Sequence, residues 1–542
     1  MAVIDGERRV VAVLMADVAG STAIGERLGP ERSKFLFDEV MRLMTAEIER
    51  YDGTVAQLLG DGLLAMFGAP IAHEDDSERA VRAGLAIQSA LAGYAKGVAE
   101  AYGVELRARI AVNTGPVVVT PGAGDDSRRY NALGDTVNVT ARLQALADEA
   151  AVTLGPQTAA QVRGCFELEQ LGETTLRGRE APIDRFRVIG ELEHARRRPA
   201  EPLVGRDREL ADVSDGLERL AQGIGMIVTV TGEPGIGKSR LVADAVEPLR
   251  DRLTVLEGRA LSYTESFPDW PVRELLRDWL GAGATAAEAR VRLDLKTALH
   301  GVFGDDPEPY PFLAALAGLP PDPETNQVLR EFSREAMHRR SMEVMAELLC
   351  RLSRDRPLLV VFEDLHWADE PTLDLIDTLL ELTESEPFGM VLLYRTDREA
   401  GSWRVGERAR QRFPHRYREV ELRPLSDSAG NELLDDLAGA PVSDNVSALL
   451  TQRAGGNPLF LSEALRDLIE RGALQRSDNG WWADDADPLE VPVLVQGVLQ
   501  ARLDRLDPPA REVVAVAAVA GRRFGTPLLE QLVDPATLPA AL

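Results

Sequence analysis

A chain of 542 residues with an ordinary apolar content of 45% can bury several cores, so more than one domain is expected. Its net charge of −27 is spread along the chain, which disfavours bulk attraction to nucleic acid or an anionic membrane. Two cysteines, Cys165 and Cys350, argue against a disulfide framework, and no basic, then apolar, leader opens the chain, so a cytoplasmic protein is expected. The apolar run near the end, Val513 to Gly521, is far too short to span a bilayer.

The first part alternates strands and helices. The run from Arg8 to Val18, RRVVAVLMADV, predicts a strand in a sheet covered on both faces. A helix is expected from Pro30, with Leu36, Val40 and Leu43 on one stripe and Gly53 past its end. In QLLGDGLLAMF, Gln57 to Phe67, Leu58, Leu59, Leu63, Leu64 and Phe67 are expected inside. Gly60 and Gly62 flank Asp61, which predicts a tight hairpin presenting that acid at its tip. A second amphipathic helix follows from His73. LRARIAVNTGPVVVT predicts strand, turn, strand, with Leu106, Ala108, Ile110 and Val112 on one face. A third helix is expected in GDTVNVTARLQALADEA, with Asp135 as its N-cap. Weak strands run from there to DRFRVIGEL.

Residues 193–202, charged and proline-containing, predict a linker. Beyond them GEPGIGKS fits G-x-x-x-x-G-K-[ST] at every fixed position: Gly232, Glu233, Pro234, Gly235, Ile236, Gly237, Lys238 and Ser239. It follows an apolar strand and opens a helix, as that motif requires. Such a loop curls backbone N–H groups around a polyphosphate, with the helix N-terminus adding positive potential. Lys238 would reach the terminal phosphates, and the Ser239 hydroxyl would ligate Mg²⁺. A second acidic site is expected on a neighbouring strand, and LLVVFEDLHWAD supplies Glu363 and Asp364. One would hold Mg²⁺ through water and the other would orient the attacking water, in an order the residues leave open. His366 and Trp367 read as packing beside this pair. After about Leu425 the pattern turns helical.

LVGRDREL, GEPGIGKSRL, VVFEDLHWAD, LLYRTDRE and AGGNPLFLSEAL together resemble the STAND class of signal-transduction NTPases, over about Leu203 to Ala501. That resemblance implies ATP with Mg²⁺ as the ligand and Arg395 as a sensor after the fourth strand. It places Gly456 to Pro458 in a helical lid over the nucleotide and starts a partial winged helix at VPVLVQGVLQARLDRL. It also implies a switch between nucleotide states rather than rapid turnover.

A second lone acid, Asp17, ends the first strand. Two strand-end carboxylates on adjacent strands repel unless a cation sits between them, which suits Mg²⁺ or Mn²⁺. Acids also cap strands and turns, so geometry alone leaves both readings open. VAVLMADVAGST, GTVAQLLGDGLLAMFGAP, RIAVNTGPVVV, YNALGDTVNVTARLQ and TTLRGREAPIDRFRV resemble the catalytic domain of class III nucleotide cyclases, over about Arg8 to Leu192. The resemblance implies that Asp17 and Asp61, with the Val18 carbonyl, hold two metal ions. It implies that Asn138 and Arg142 steady the ribose and transition state, and that Arg177 binds the triphosphate. In that family the acids of one subunit face the Asn/Arg pair of another, so a homodimer is implied.

The family's adenine-reading Lys falls on Gln57 here, and that residue's usual acidic partner falls on Asn131. Two amides, each able to present donor or acceptor, replace two charges. The reading is therefore a multidomain α/β protein. A ferredoxin-like α+β cyclase domain (1–192) and the linker lead to a P-loop α/β NTPase domain (203–424). A helical lid (425–485) and a partial winged helix (486–542) follow. The expected function is conversion of ATP to cyclic AMP and pyrophosphate. The rival is a scaffold that keeps the cyclase fold but makes little product. Nothing within these residues points to nucleic acid or a membrane as partner.

Overall fold

The computed structural model of the chain describes residues 6–121, 130–174, 182–192, 202–261, 269–282, 288–398, 400–470, 472–477 and 480–482. In the C-terminal part it describes 496, 499, 500, 503, 504, 506 and 508–520. The chain forms two compact units: residues 1–189 with 491–542, and residues 190–490.

In the first unit, β1 (Glu7–Val18) is followed by α1 (Ser21–Leu28), α2 (Pro30–Arg50), β2 (Thr54–Leu58), β3 (Gly62–Phe67), α3 (Asp76–Tyr102) and β4 (Ala108–Pro121). Then come β5 (Tyr130–Leu133), α4 (Asp135–Ala145), β6 (Ala151–Leu154), α5 (Pro156–Val162), β7 (Phe166–Thr174) and β8 (Ile183–Glu191). The strands form one sheet in the order β2-β3-β1-β4-β6-β8-β7, with β5 paired to β4. Order β2-β3-β1-β4 with a βαββαβ succession is the ferredoxin-like α+β arrangement that was expected. Alternation on β1 sends Ala12, Leu14, Ala16 and Val18 into the main core with Val40, Met44, Ile48, Ala80 and Ile87 of α2 and α3. Val11, Val13 and Met15 face the opposite side, with Leu64, Met66, Val117 and Tyr130.

Several expectations for this unit change. The stretch from Ala108 to Pro121 is a single strand, with no turn at Asn113–Gly115. Gly115 is there for close approach: a Cβ at that position would lie 2.7 Å from Thr136 Oγ1 on α4. Asp135 is the first helical residue of α4 rather than its cap, since Gly134 precedes the helix and no side chain caps it. An acid in the first turn still suits the helix dipole. Leu63, Leu64 and Phe67 are buried, but Leu58 and Leu59 are exposed, because Leu58 ends the edge strand β2 and Leu59 lies in the turn after it. The short helices α1 and α5 carry too few turns to show a period.

The second unit opens with α6 (Asp207–Ala221), β9 (Met226–Gly232), α7 (Lys238–Val246) and β10 (Thr254–Arg259). Five helices follow: α8 (Trp270–Trp279), α9 (Glu288–Phe303), α10 (Pro309–Leu316), α11 (Pro323–Leu329) and α12 (Arg334–Asp355). Next are β11 (Leu358–Glu363), α13 (Glu370–Leu380), α14 (Leu382–Ser385), β12 (Phe388–Tyr394), α15 (Gly401–Arg412) and β13 (Tyr417–Leu422). All five strands are parallel, in the order β10-β11-β12-β9-β13. Strands β9 and β12 are buried at every residue, as expected for a parallel sheet covered on both faces. The strand carrying the acidic pair, β11, does not adjoin the P-loop strand β9 as expected. Strand β12, which leads into Arg395, lies between them.

Beyond β13, α16 (Asp427–Ala438), α17 (Asp444–Ala454) and α18 (Pro458–Glu470) pack around Leu433, Leu434, Val446, Leu450, Leu461 and Leu465. The helical expectation did not foresee the small antiparallel hairpin β14 (Gln475–Ser477) and β15 (Gly480–Trp482). Most of the expected winged helix and linker lies outside the described residues, which in the last part show one long helix, α19 (Pro508–Ala520). Among the described residues, no helix is long and apolar enough to cross a membrane.

Candidate active site

The first unit brings Asp17 and Asp61 to the same end of a strand pair. Asp17 on β1 stands opposite Gly62, the first residue of β3, and Asp61 immediately precedes it. Gly62 has no substitute here, because a Cβ would sit 2.5 Å from the Ala16 carbonyl and 3.0 Å from Asp17 Cβ. Gly60 turns the tip with φ of 83°, and the Leu59 amide donates to the Gly62 carbonyl at 2.7 Å. The Val18 amide donates to the Asp61 carbonyl at 3.0 Å.

Around the acids the charges are not balanced. Asp17 Oδ1 is buried with no hydrogen-bond partner among the described residues. Burial, and the charge of Asp61, hold the Asp17 carboxyl above its ordinary value, against the opposing pull of Gln144 and Arg109. The Asp61 carboxylate accepts from the Ser21 hydroxyl at the start of α1. A divalent cation fits this donor set: two hard carboxylates, one with an unpartnered buried oxygen. Among the described residues no group of three or more His, Cys, Asp or Glu is placed to hold a metal. Ser21 and Gln144 were not singled out from the sequence. Ser21 follows Gly20 in a bland AGST turn, and Gln144 shows its relevance only once α4 lies beside β1.

Helix α4 presents the next pair. Val139, Thr140 and Leu143 are buried beneath it, while Asn138 is exposed and Arg142 half-exposed, one turn apart on the outer face. The helix start is pinned where Thr136 Oγ1 donates to the Pro116 carbonyl at 2.8 Å. Gln57, opposite Leu64, and Asn131, opposite Thr120, are both exposed on strands that lie against each other, β2 and β5. Arg177 lies outside the described residues.

In the second unit the P-loop joins β9 to α7. Gly235 and Gly237 take positive φ, 73° and 100°. Lys238 is buried, and its Nζ donates to the Gly232 and Glu233 carbonyls at 3.0 Å each. The three-residue GNP stretch meets this loop directly. Asn457 Nδ2 donates to the Pro234 carbonyl at 2.9 Å, and the Leu459 amide donates to the Gly235 carbonyl at 3.3 Å. A Cβ on Gly235 would collide with Leu459 Cβ at 2.7 Å, so that glycine serves contact with α18 as well as the turn.

The acidic pair splits. Glu363 ends β11, while Asp364 takes left-handed φ of 54° and accepts from Arg259 Nε at 2.8 Å. Burial alone would raise the Asp364 carboxyl, but Arg259, with His366 and Lys238, holds it below its ordinary value. The His366 and Trp367 rings lie tilted against each other with centroids 4.9 Å apart, and the Arg395 guanidinium lies 5.4 Å from the Trp367 ring centroid.

These two sites agree with the chain's likeness to known proteins. The model of the adenylate and guanylate cyclase catalytic domain matches residues 5–189, and that of an AAA ATPase domain matches 202–394. An uncharacterised protein of Rhizobium meliloti (strain 1021) is 27% identical over 97% of this chain and 50% of its own length. Adenylate cyclase 1 of the same organism is 29% identical over 34% of this chain and 28% of its own length. This chain therefore spans half or less of these relatives. Of solved structures, the guanylyl cyclase Cya2 is 28% identical over 35% of this chain and 96% of that one, with a TM-score of 0.34. The chain carries a class III nucleotide cyclase catalytic domain followed by an AAA-type ATPase domain.

Asn457→Ala removes the amide that ties the start of α18 to the P-loop carbonyl of Pro234. Loss of one neutral hydrogen bond, about 1 kcal/mol, should speed dissociation of a fluorescent ATP analogue from the second unit about two- to tenfold in stopped flow. An unchanged rate would mean that this contact does not hold nucleotide.

Proposed function

We propose that the chain is a nucleotide cyclase acting on ATP and governed by its ATP-binding unit. The observation that carries this reading is the pair Asp17 and Asp61 at one strand-pair end, with a buried unpartnered carboxylate oxygen, within a class III cyclase domain. These acids, with the Val18 carbonyl, would hold two divalent cations. Mg²⁺ or Mn²⁺ held there supplies Lewis-acid charge that lowers the pKa of the ribose 3′-hydroxyl and offsets charge on the phosphates.

The remaining steps fall to the chain's own side chains. The ribose 3′-hydroxyl gives its proton to solvent water as its oxygen attacks the α-phosphorus in line. Its new bond forms as the bond to the bridging β-phosphate oxygen breaks, and pyrophosphate leaves. Asn138 orients the ribose, and Arg142 adds positive charge where the pentavalent phosphorus forms. Arg177 binds the triphosphate. Asn138 and Arg142 stand on the solvent face of α4, which supports delivery to the acids of a second copy. Exposed Leu58 and Leu59 at the hairpin tip, and Leu133 on β5, support an apolar interface there. The second unit acts as a switch: its lid rests on the P-loop through Asn457 and Leu459, and Arg259 restrains Asp364, which favours slow turnover.

The scaffold reading rests on Gln57 and Asn131, whose amides carry no fixed charge for purine recognition. Mixing decides between the two. Asp17→Ala and Arg142→Ala chains should each be inactive alone with Mn²⁺ and ATP, and should regain part of the wild-type rate when combined, because a mixed dimer rebuilds one site. Absence of recovery in confirmed mixed dimers would contradict a shared site, and an inactive wild type would favour the scaffold.

Base recognition gives a second test. Two amides discriminate through hydrogen-bond quality worth about 1 kcal/mol per bond, so ATP should be preferred to GTP only modestly in kcat/KM. Gln57→Lys with Asn131→Asp should sharpen that preference, since a wrong base leaves a charged donor unpaired. A wild type that already rejects GTP by more than about a thousandfold, some 4 kcal/mol, would mean that other residues read the base.

A further inference from the structure

The segment after the ATPase unit places one carboxylate against the first unit. Asp504 lies just ahead of α19. Its oxygens accept from Arg9 Nη1 at 2.6 Å and Nη2 at 3.2 Å, from the Ala72 amide at 3.0 Å, from Gln500 Nε2 at 3.1 Å and from Arg511 Nη2 at 3.0 Å. The side chains of Arg9 and Asp504 are 1% and 3% exposed. Arg511 also donates to the Leu503 carbonyl, which fixes the turn that presents Asp504. A forked guanidinium on both oxygens of a carboxylate, with a backbone N–H beside it, is a strong and directional arrangement.

Arg9 is an unusual residue for its place. It opens an apolar strand, points to the same face as Val11, Val13 and Met15, and is buried. A buried guanidinium is costly unless it is paired and hydrogen-bonded. Burial alone would lower its pKa, yet the Asp504 carboxylate, with Glu7, keeps it above its ordinary value.

The placement of this grip relative to the acids is informative. Strands β1 and β3 run antiparallel, with Asp17 facing Gly62 at one end and Ala12 facing Phe67 toward the other. Arg9 precedes Ala12 on β1, and Ala72 follows Phe67 after β3. Asp504 therefore holds β1 near its start and the loop that follows β3, both at the end of the strand pair opposite Asp17 and Asp61. The chain leaves the first unit at residue 189, builds the second, and rejoins the first from residue 491. Asp504 thus lies on the covalent path that returns from the ATPase unit.

We infer that Arg9 and the Ala72 amide form a carboxylate-receptor site on the cyclase unit, and that Asp504 is its ligand, latching the segment that follows the ATPase onto the strand pair bearing Asp17 and Asp61. The link to catalysis rests on the cyclase reading above, whereas the latch itself does not.

Hydrogen exchange of the full-length chain, read by mass spectrometry, tests the latch without any need for cyclic product. Asp504→Ala should raise exchange at least tenfold in two separate peptides, one covering residues 69–75 and one covering 508–520, while leaving α7 unchanged. Arg9→Met should do the same, and the double variant should add little to either single change, because both break one interaction. Should Asp504→Ala loosen the whole first unit by stranding a buried charge, the double variant, which removes both charges, should restore protection of β1 while 508–520 stays released. Exchange within twofold of wild type at both peptides in Asp504→Ala would overturn the latch. Fully additive effects in the double variant, or a first unit equally loosened in all three variants, would overturn it as well. A cyclase-inactive wild type that still shows the linked exchange would sink the catalytic reading and leave the latch standing.

Discussion

Two carboxylates at the ends of paired strands repel each other, and much of the first unit serves to hold Asp17 and Asp61 there regardless. Antiparallel pairing of β1 with β3 fixes their separation along the sheet, and Gly62 lets the strands close where any side chain would strike the Ala16 carbonyl. Burial aggravates the repulsion by denying Asp17 the solvent that would screen it, and its carboxyl is raised accordingly. Ser21 relieves only Asp61. An arrangement that keeps this cost in a folded state makes sense when a cation completes it, and α4 carries Asn138 and Arg142 on its exposed face.

The second unit resolves a similar problem differently. Its acid Asp364 is not left unbalanced, because Arg259, at the end of the adjacent strand β10, meets it directly. Its lysine is folded onto the loop carbonyls, and the start of α18 rests on that same loop through Asn457 and Leu459. Charge here is neutralised within the protein. In the cyclase unit charge is left for a ligand to neutralise, which suits catalysis.

Much of this was legible in the sequence where a motif combines fixed spacing with a backbone demand. The P-loop, the hairpin around Asp61 and the strand before Asp17 all carry glycines or apolar runs that local physics reads directly. Long-range arrangement was not legible. Nothing local says that β12 inserts between β9 and β11, since both fit a parallel sheet equally well. The apparent turn at Asn113–Gly115 misled because its glycine answers to Thr136 on another element. Nothing in the strand pattern singles out Arg9, and its partner Asp504 lies near the other end of the sequence. Gln144 and Arg259 likewise matter only through neighbours that the fold brings to them.

The central claim is that Asp17 and Asp61 form a divalent-metal site. Manganese binding, followed by electron paramagnetic resonance, addresses it most directly. The full chain should carry Lys238→Ala, which silences the P-loop, and a non-cyclisable ATP analogue should be present. The account predicts Mn²⁺ bound to this protein, with affinity falling about tenfold or more, at least 1.4 kcal/mol, when Asp17→Asn is added. Binding unchanged within twofold by Asp17→Asn and by Asp61→Asn would contradict it.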